Sequence, residues 1–283
     1  MKEYNYKIEI STKCYISEIF AHKLSFYIDK GSYIQLSIDS SKREVADFLV
    51  KKRGFFDCII ETIKNLTKHG INIRVKSVMT NFNIKGIEEL ILMLYKYGIT
   101  QILIEDYGRS YYRHSDDLFV DPNLSLWAKD RIAYIKDKHP DINITYGAQS
   151  YERHIKEQII STSNELWNRW GKRNKCSAGS SSITISPSGI VIPCEQMPQN
   201  LTHSLGNIKN KSIIEIWNSK ELLNYTYPNK ELFIGKPCYE CIEFDNCHRK
   251  HGHCFRNALF SYNDHLMPSP DCPKALKPRI RLV

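Results

Sequence analysis

Seven of the nine cysteines in this 283-residue chain lie beyond residue 175: Cys176, Cys194, Cys238, Cys241, Cys247, Cys254 and Cys272. Four of them fall within "CYECIEFDNCHRKHGHC", residues 238–254. Thiols at this density hold zinc, pair as disulfides or carry iron–sulfur clusters. The odd total, and an opening "MKEYNYKIEIS" with no apolar export segment, argue against a disulfide framework and for the cytoplasm. A zinc ribbon would show two CxxC knuckles well apart. Here there is one CxxC, Cys238 to Cys241, and a third cysteine, Cys247, after five residues. Compact runs completed by a distant cysteine are how ferredoxin-type sites collect thiolates. Seven cysteines also exceed one tetrahedral zinc and nearly fill two four-cysteine cluster sites. The spacing favours clusters. The alternative is a cysteine-rich, zinc-binding scaffold or interaction protein without catalysis.

These cysteines need elements to position them. "CSAGSSSITISPSGIVIPCEQ" (176–196) reads as a hairpin, with "SITIS" and "IVIPC" as strands and "PSG" as the turn, which sets Cys176 beside Cys194. Ser212 is placed to cap a helix holding Ile213, Ile216 and Trp217. The first half has a different texture. Strands are predicted over 6–11, 33–39, 71–79, 99–105 and 141–147, and helices over 17–30, 56–70, 84–98 and 122–139. Ser17 and Asn83 are candidate caps, Gly70 and Gly98 candidate stops, and Pro122 opens the last helix.

Alternating strands and helices of these lengths predict βαβ units and a parallel sheet. A sheet covered on both faces would show continuous apolar strands. Instead polar residues alternate: Gln35, Ser37 and Asp39; Arg74 and Lys76; Gln101 and Glu105. They suit the lining of a curved, open barrel better than a flat sheet with one solvated face. The fold class expected is α/β: an incomplete parallel βα barrel, partial and TIM-like, over 1–149. A polar connector with Trp167 and Trp170 follows over 150–175, then a small cysteine-rich α+β module over 176–283. The net charge of +9 is spread along the chain, with no basic run longer than "KKR" (51–53), so it gives little support to a nucleic-acid partner. No apolar run is long enough to span a bilayer.

The spacing Cys176, twelve residues, Gly189, four residues, Cys194, followed by Cys238-x2-Cys241-x5-Cys247, Cys254 and Cys272, resembles the SPASM domain of radical S-adenosylmethionine (SAM) enzymes. "YIQLSID", "GFFDCIIETIKNLTKHGINIRVKSVMTNFNI" and "YGITQILIE" resemble the middle and later βα units of the radical SAM partial barrel. The likeness covers about residues 6–275. It implies two auxiliary [4Fe–4S] clusters. Cys176, Cys194 and Cys254 would bind the first, and Cys238, Cys241, Cys247 and Cys272 the second. It also implies Glu195 as a base in substrate oxidation, Ser37 as a contact to SAM, and a peptide or protein substrate.

The sequence also departs from the family's pattern. The CxxxCxxC loop of the radical-generating cluster does not occur. Cys14 and Cys58 stand alone, Cys58 on a helix where a small buried thiol is expected. Val50 stands where many relatives place an arginine for the cofactor's carboxylate, with Arg53 three residues on. The "HRKHGH" between Cys247 and Cys254 is longer than the family's spacer. It reads as a solvated loop, and leaves open whether Cys254 or a neighbouring histidine completes the first cluster. The chain thus reads as a fragment, as one half of a split enzyme or as a degenerate relative. An open edge at strand 6–11 would call for a complementing N-terminal polypeptide, and SAM would bind only with that segment supplied.

Overall fold

The computed structural model describes residues 7–29, 31–108, 115–147, 163–199 and 201–276. The chain divides into two compact units. One is drawn from Met1–Arg109 and Ser115–Tyr151, the other from Ser110–His114 and Glu152–Val283.

In the first unit, β1 (Glu9–Thr12), β2 (Tyr33–Ser37), β3 (Ile73–Met79), β4 (Gln101–Asp106) and β5 (Asn143–Gly147) form one parallel sheet in sequence order. Between them run α1 (Glu18–Ser25), α2 (Arg43–Val50), α3 (Phe55–Lys68), α4 (Ile87–Lys96) and α5 (Pro122–Lys138). Sequential order without reversal is the order of a barrel, whereas doubly wound sheets reverse direction and cover both faces. The strand residues agree. Ile34, Leu36, Val75, Ile102, Ile104 and Ile144 are buried in one core with Ile59, Ile63, Leu66, Leu90, Ile91 and Ile132 from the helices. The alternate residues form cross-strand rows. Ser11, Gln35, Arg74, Gln101 and Asn143 align in one register row, and Ser37 aligns with Lys76 in another. This is the incomplete parallel βα barrel expected from the polar alternation.

Local chemistry explains most element ends. Ser17 Oγ accepts from Phe20 N at 3.3 Å and starts α1. Asp121 caps α5, with Pro122 in the first turn. No element was expected over 40–55, yet α2 forms there. Its Asp47 takes the N–H groups of Gly54 (2.6 Å) and Phe56 (2.9 Å), capping α3 from outside. These N–H donors, Phe56 foremost, hold the Asp47 carboxyl below its usual range. Asn83 does not cap α4 as its position suggested. Its Oδ1 accepts from Thr80 N (2.6 Å), and its Nδ2 donates to the Asp39 (2.7 Å) and Val78 (2.9 Å) carbonyls. It therefore ties the ends of two neighbouring strands together.

In the second unit, α6 (Ser163–Gly171) occupies the later part of the expected connector, the rest of which to residue 162 lies outside the described residues. The hairpin is present as β6 (Thr184–Ile185) and β7 (Ile190–Ile192). An unexpected third strand, β8 (Gly206–Asn207), pairs with β7. Gly189 turns the hairpin at φ 88°, where an added Cβ would sit 2.7 Å from Asn207 Oδ1. Ser212 and Glu215 form a capping box on α7 (Ile213–Trp217). α8 (Lys220–Thr226), a π-helical turn (Asn246–His251) and α9 (Phe255–Tyr262) follow. One small core joins Val191, Leu205, Ile216 and Leu222. Among the described residues, no helix is long and apolar enough to cross a membrane.

Candidate metal centres

All seven candidate ligands lie in the second unit, and all nine cysteines of the chain are free thiols. Cys176 is fixed by its own backbone: its N–H donates to the His251 carbonyl (3.1 Å), and its carbonyl accepts from Ser180 Oγ (2.7 Å). Cys194 follows β7, and Cys254 stands at the N-terminus of α9. Burial raises the Cys194 thiol pKa, and the neighbouring Cys176 and Glu195 add to the rise. Burial pushes Cys254 up to about 12, again with Cys176 among its neighbours. Cys176 is therefore the common neighbour of Cys194 and Cys254.

The other four gather separately. Cys238 and Cys241 share a turn, with Cys241 N–H donating to the Cys238 carbonyl at 3.2 Å. Burial, then Cys272, Cys247 and Cys241, push Cys238 up to about 12. Burial, with Cys247 and Cys241 nearby, takes Cys272 to about 11. Burial also raises Cys247, opposed by the guanidinium of Arg173. Half-buried thiols crowded in this way resist becoming thiolates unless a cation joins them. The donor set therefore fits soft metal sites. Among the described residues, no three His, Cys, Asp or Glu groups stand together as a site for one metal ion.

The histidine-rich spacer is not a solvated loop. The π-helical turn carries His248 inward, to 2% exposure, against Phe233 (4.8 Å between ring centroids) and Phe244 (4.4 Å). Both ring nitrogens of His248 are buried without a partner, and burial drives its pKa down to about 4. His253 is also buried, and its Nε2 donates to the His265 carbonyl at 3.2 Å. Gly252 between them holds φ 77° and ψ 150°, a conformation essentially reserved for glycine. A Cβ there would meet Cys176 Cβ at 3.1 Å. Thus the spacer is built against the first cysteine set, which its polar composition did not announce.

Arg173 and Trp170 were likewise not singled out as site residues from sequence. Arg173 Nη2 donates to Cys247 Sγ (3.1 Å) and to its carbonyl (3.3 Å), while the guanidinium stacks 3.5 Å from the Trp170 ring centre. They line a cavity of about 430 Å³ together with Trp167, Glu243, Cys247 and Lys274.

Of the remaining candidates, Glu195 is exposed beside Cys194. Ser37 is half-buried on the polar face of the first unit, in register with Lys76, which pairs with Glu105 at 2.8 Å. On the same face Arg74 Nε donates to Gln35 Oε1 (3.0 Å), and Gln35 Nε2 donates to Ser11 Oγ (3.2 Å). Cys14 is exposed, and Cys58 is half-buried rather than buried.

Residues 176–247 match the SPASM family, described as an iron–sulfur cluster-binding domain. The chain is 27% identical over 189 residues to AlbA of Bacillus subtilis (strain 168), the antilisterial bacteriocin subtilosin biosynthesis protein. That match covers 66% of this chain and 37% of AlbA. It also superimposes on Streptococcus suis SuiB bound to S-adenosylmethionine, with a TM-score of 0.62 and 16% identity, covering 99% of this chain and 61% of SuiB. The native anSMEcpe structure with bound AdoMet gives a TM-score of 0.61 at 16% identity, covering 96% of this chain and 73% of that one. The chain thus spans about three fifths of SuiB, and its matched segment little more than a third of AlbA. These likenesses bear out the resemblance read from the sequence. Residues 176–247 in the second unit are thus a SPASM segment, and the chain shares the fold of SuiB and anSMEcpe.

Proposed function

We propose that this chain serves a peptide- or protein-modifying radical SAM activity and carries its two auxiliary [4Fe–4S] clusters. Cys176, Cys194 and Cys254 would hold one, and Cys238, Cys241, Cys247 and Cys272 the other. The observation that carries this reading is the cysteine spacing from Cys176 to Cys272, of which residues 176–247 match the SPASM family. The buried Arg173 Nε, without a partner in the residue that touches Cys247, adds support, because inorganic sulfide accepts such donors. When bound, clusters of this kind accept and pass single electrons. The chain's own residues do the rest. Glu195, exposed beside Cys194, would take the proton that a substrate loses on oxidation. Ser37 would donate its hydroxyl to SAM across the polar face of the first unit.

The substrate class rests on the relatives. SuiB is described bound to the precursor peptide SuiA, and anSMEcpe with the Cp18Cys peptide. Cleavage of SAM needs the CxxxCxxC segment that these 283 residues lack. A complementing polypeptide, or a longer form of the chain, would supply it. Among the described residues β1 pairs only with β2, so its other edge is where such a segment would add a strand.

Anaerobic purification followed by iron, sulfide and zinc analysis tests the cluster reading. About eight irons and as much acid-labile sulfide per chain are expected for two [4Fe–4S] clusters. Colourless protein holding one or two zincs would instead favour the scaffold.

A further inference from the structure

Arg173 lies three residues before Cys176, the first ligand of one set, yet its side chain serves a ligand of the other. Four hydrogen bonds and one stacking contact fix it. Nη2 reaches Cys247 Sγ at 3.1 Å and the Cys247 carbonyl at 3.3 Å. Nη1 donates to the Trp170 carbonyl at 2.6 Å, with the indole 3.5 Å beneath the guanidinium. The Arg173 carbonyl accepts from His251 Nδ1 at 3.2 Å, which anchors its backbone to the π-helical turn that begins beside Cys247. An arginine held this way keeps its charge and its donor geometry, because stacking and two backbone acceptors leave the planar fork little freedom. Its charge acts on Cys247 against that of Asp271, and of the two Arg173 is the stronger influence.

Hydrogen bonds to ligand sulfur and nearby charge are among the main levers on iron–sulfur reduction potentials. Adding an electron makes a cluster more negative, so a donor and a cation beside one ligand stabilise the reduced form. We propose that Arg173 raises the reduction potential of the centre that Cys247 helps to hold. This rests on the reading that Cys238, Cys241, Cys247 and Cys272 hold a [4Fe–4S] cluster. Arg173 is a tuning residue here, since it ligates nothing and acts through Cys247.

The test is a dithionite titration of the full, anaerobically loaded chain, followed by electron paramagnetic resonance. Wild type is compared with Arg173→Gln and Arg173→Lys, with iron and sulfide measured on each sample. Arg173→Gln should keep its iron while the ratio of reduced to oxidised cluster at a fixed poise falls about tenfold, or 59 mV for one electron, at one cluster only. Arg173→Lys, which keeps the charge but loses the stacked fork, should shift the same cluster less. Unchanged potentials at unchanged iron content would overturn the proposal. So would loss of one cluster's iron from both variants, because Arg173 would then be a brace and not a tuner. Failure of the underlying cluster reading would show separately, as wild-type protein without iron and sulfide.

Discussion

The two units of this protein achieve order by different means. In the first, seven core residues of the sheet alone, Ile34, Leu36, Val75, Met79, Ile102, Ile104 and Ile144, meet three helices' worth of Ile and Leu. Burial of that kind stabilises by about 25 cal/mol per Å² and needs no cofactor. In the second, one cluster joins four residues, Val191, Leu205, Ile216 and Leu222, while buried Phe233, Phe244 and Phe255 lie outside it. Much of the chain from 227 to 276 is short turns around thiols. On the proposed cluster reading, such a module would add the binding of its ligand to a divided apolar core. The barrel unit carries its fold in its side chains, whereas the cysteine unit would share that task with the clusters proposed for it.

The sharpest way to break this contrast is to strip the metal. Chelation of the anaerobically loaded chain should expose the second unit to protease, with cuts between 176 and 276, while a fragment covering 7–147 survives. Limited proteolysis with mass spectrometry reads this directly, and equal resistance of both units after chelation would sink the comparison. A core truncation probes the other side. Leu36→Ala, at a position with 0% exposure, should cost the first unit about 2–5 kcal/mol in denaturant unfolding and leave iron content unchanged. Smaller again is Gly252→Ala. Forcing a Cβ into its φ 77°, ψ 150° conformation, 3.1 Å from Cys176 Cβ, should cost about 1–3 kcal/mol locally. Iron loss should follow from the set around Cys176, measured against the intact second set.

The same contrast governs how far each unit was legible from sequence. The barrel was readable because its signals are local and repeated. Ile34 and Leu36 alternate with Gln35 and Ser37, and Ser17 and Pro122 mark helix starts, so element types followed from period and caps. What was missed there came from distant partners. α2 is short and caps α3 from another element through Asp47, and Asn83 found three strand-end groups more rewarding than its own helix. In the cysteine unit the ligand types were plain and so was the hairpin around Gly189. The contact of Arg173 was not, because nothing local links it to Cys247, 74 positions away. The spacer misled for a physical reason. "HRKHGH" is polar by composition, but a π-helical turn and the glycine-only geometry at Gly252 fold two of its imidazoles into an aromatic pocket.

The gentlest probe of the contrast is pH, because buried His203 in the second unit and Asp39 in the first shift in opposite directions. In the second unit, burial, with His265 adding to it, lowers the pKa of His203, whose Nδ1 meets Tyr225 OH at 3.2 Å. His265 is lowered by burial too, with Asp264 and Lys236 acting against each other beside it. Below pH 6.5 the unfolded chain takes up a proton that folded His203 refuses, so stability is full above 6.5 and declines as pH falls toward the folded value. In the first unit, burial raises the Asp39 carboxyl, against the Val78 N–H (2.8 Å) and the Lys13 charge. Folded Asp39 therefore takes its proton before the unfolded chain does, and stability rises as pH falls through that raised value toward 3.8. Hydrogen-exchange protection between pH 7 and 5 should fall in α8, which carries Tyr225, and hold or rise in β2 and β3. His203→Gln should soften the fall in α8, the rest of which His248 and His253 supply, and Asp39→Asn should flatten the profile in β2 and β3. Parallel profiles in the two units of the wild type would show that their buried charges do not divide them in this way.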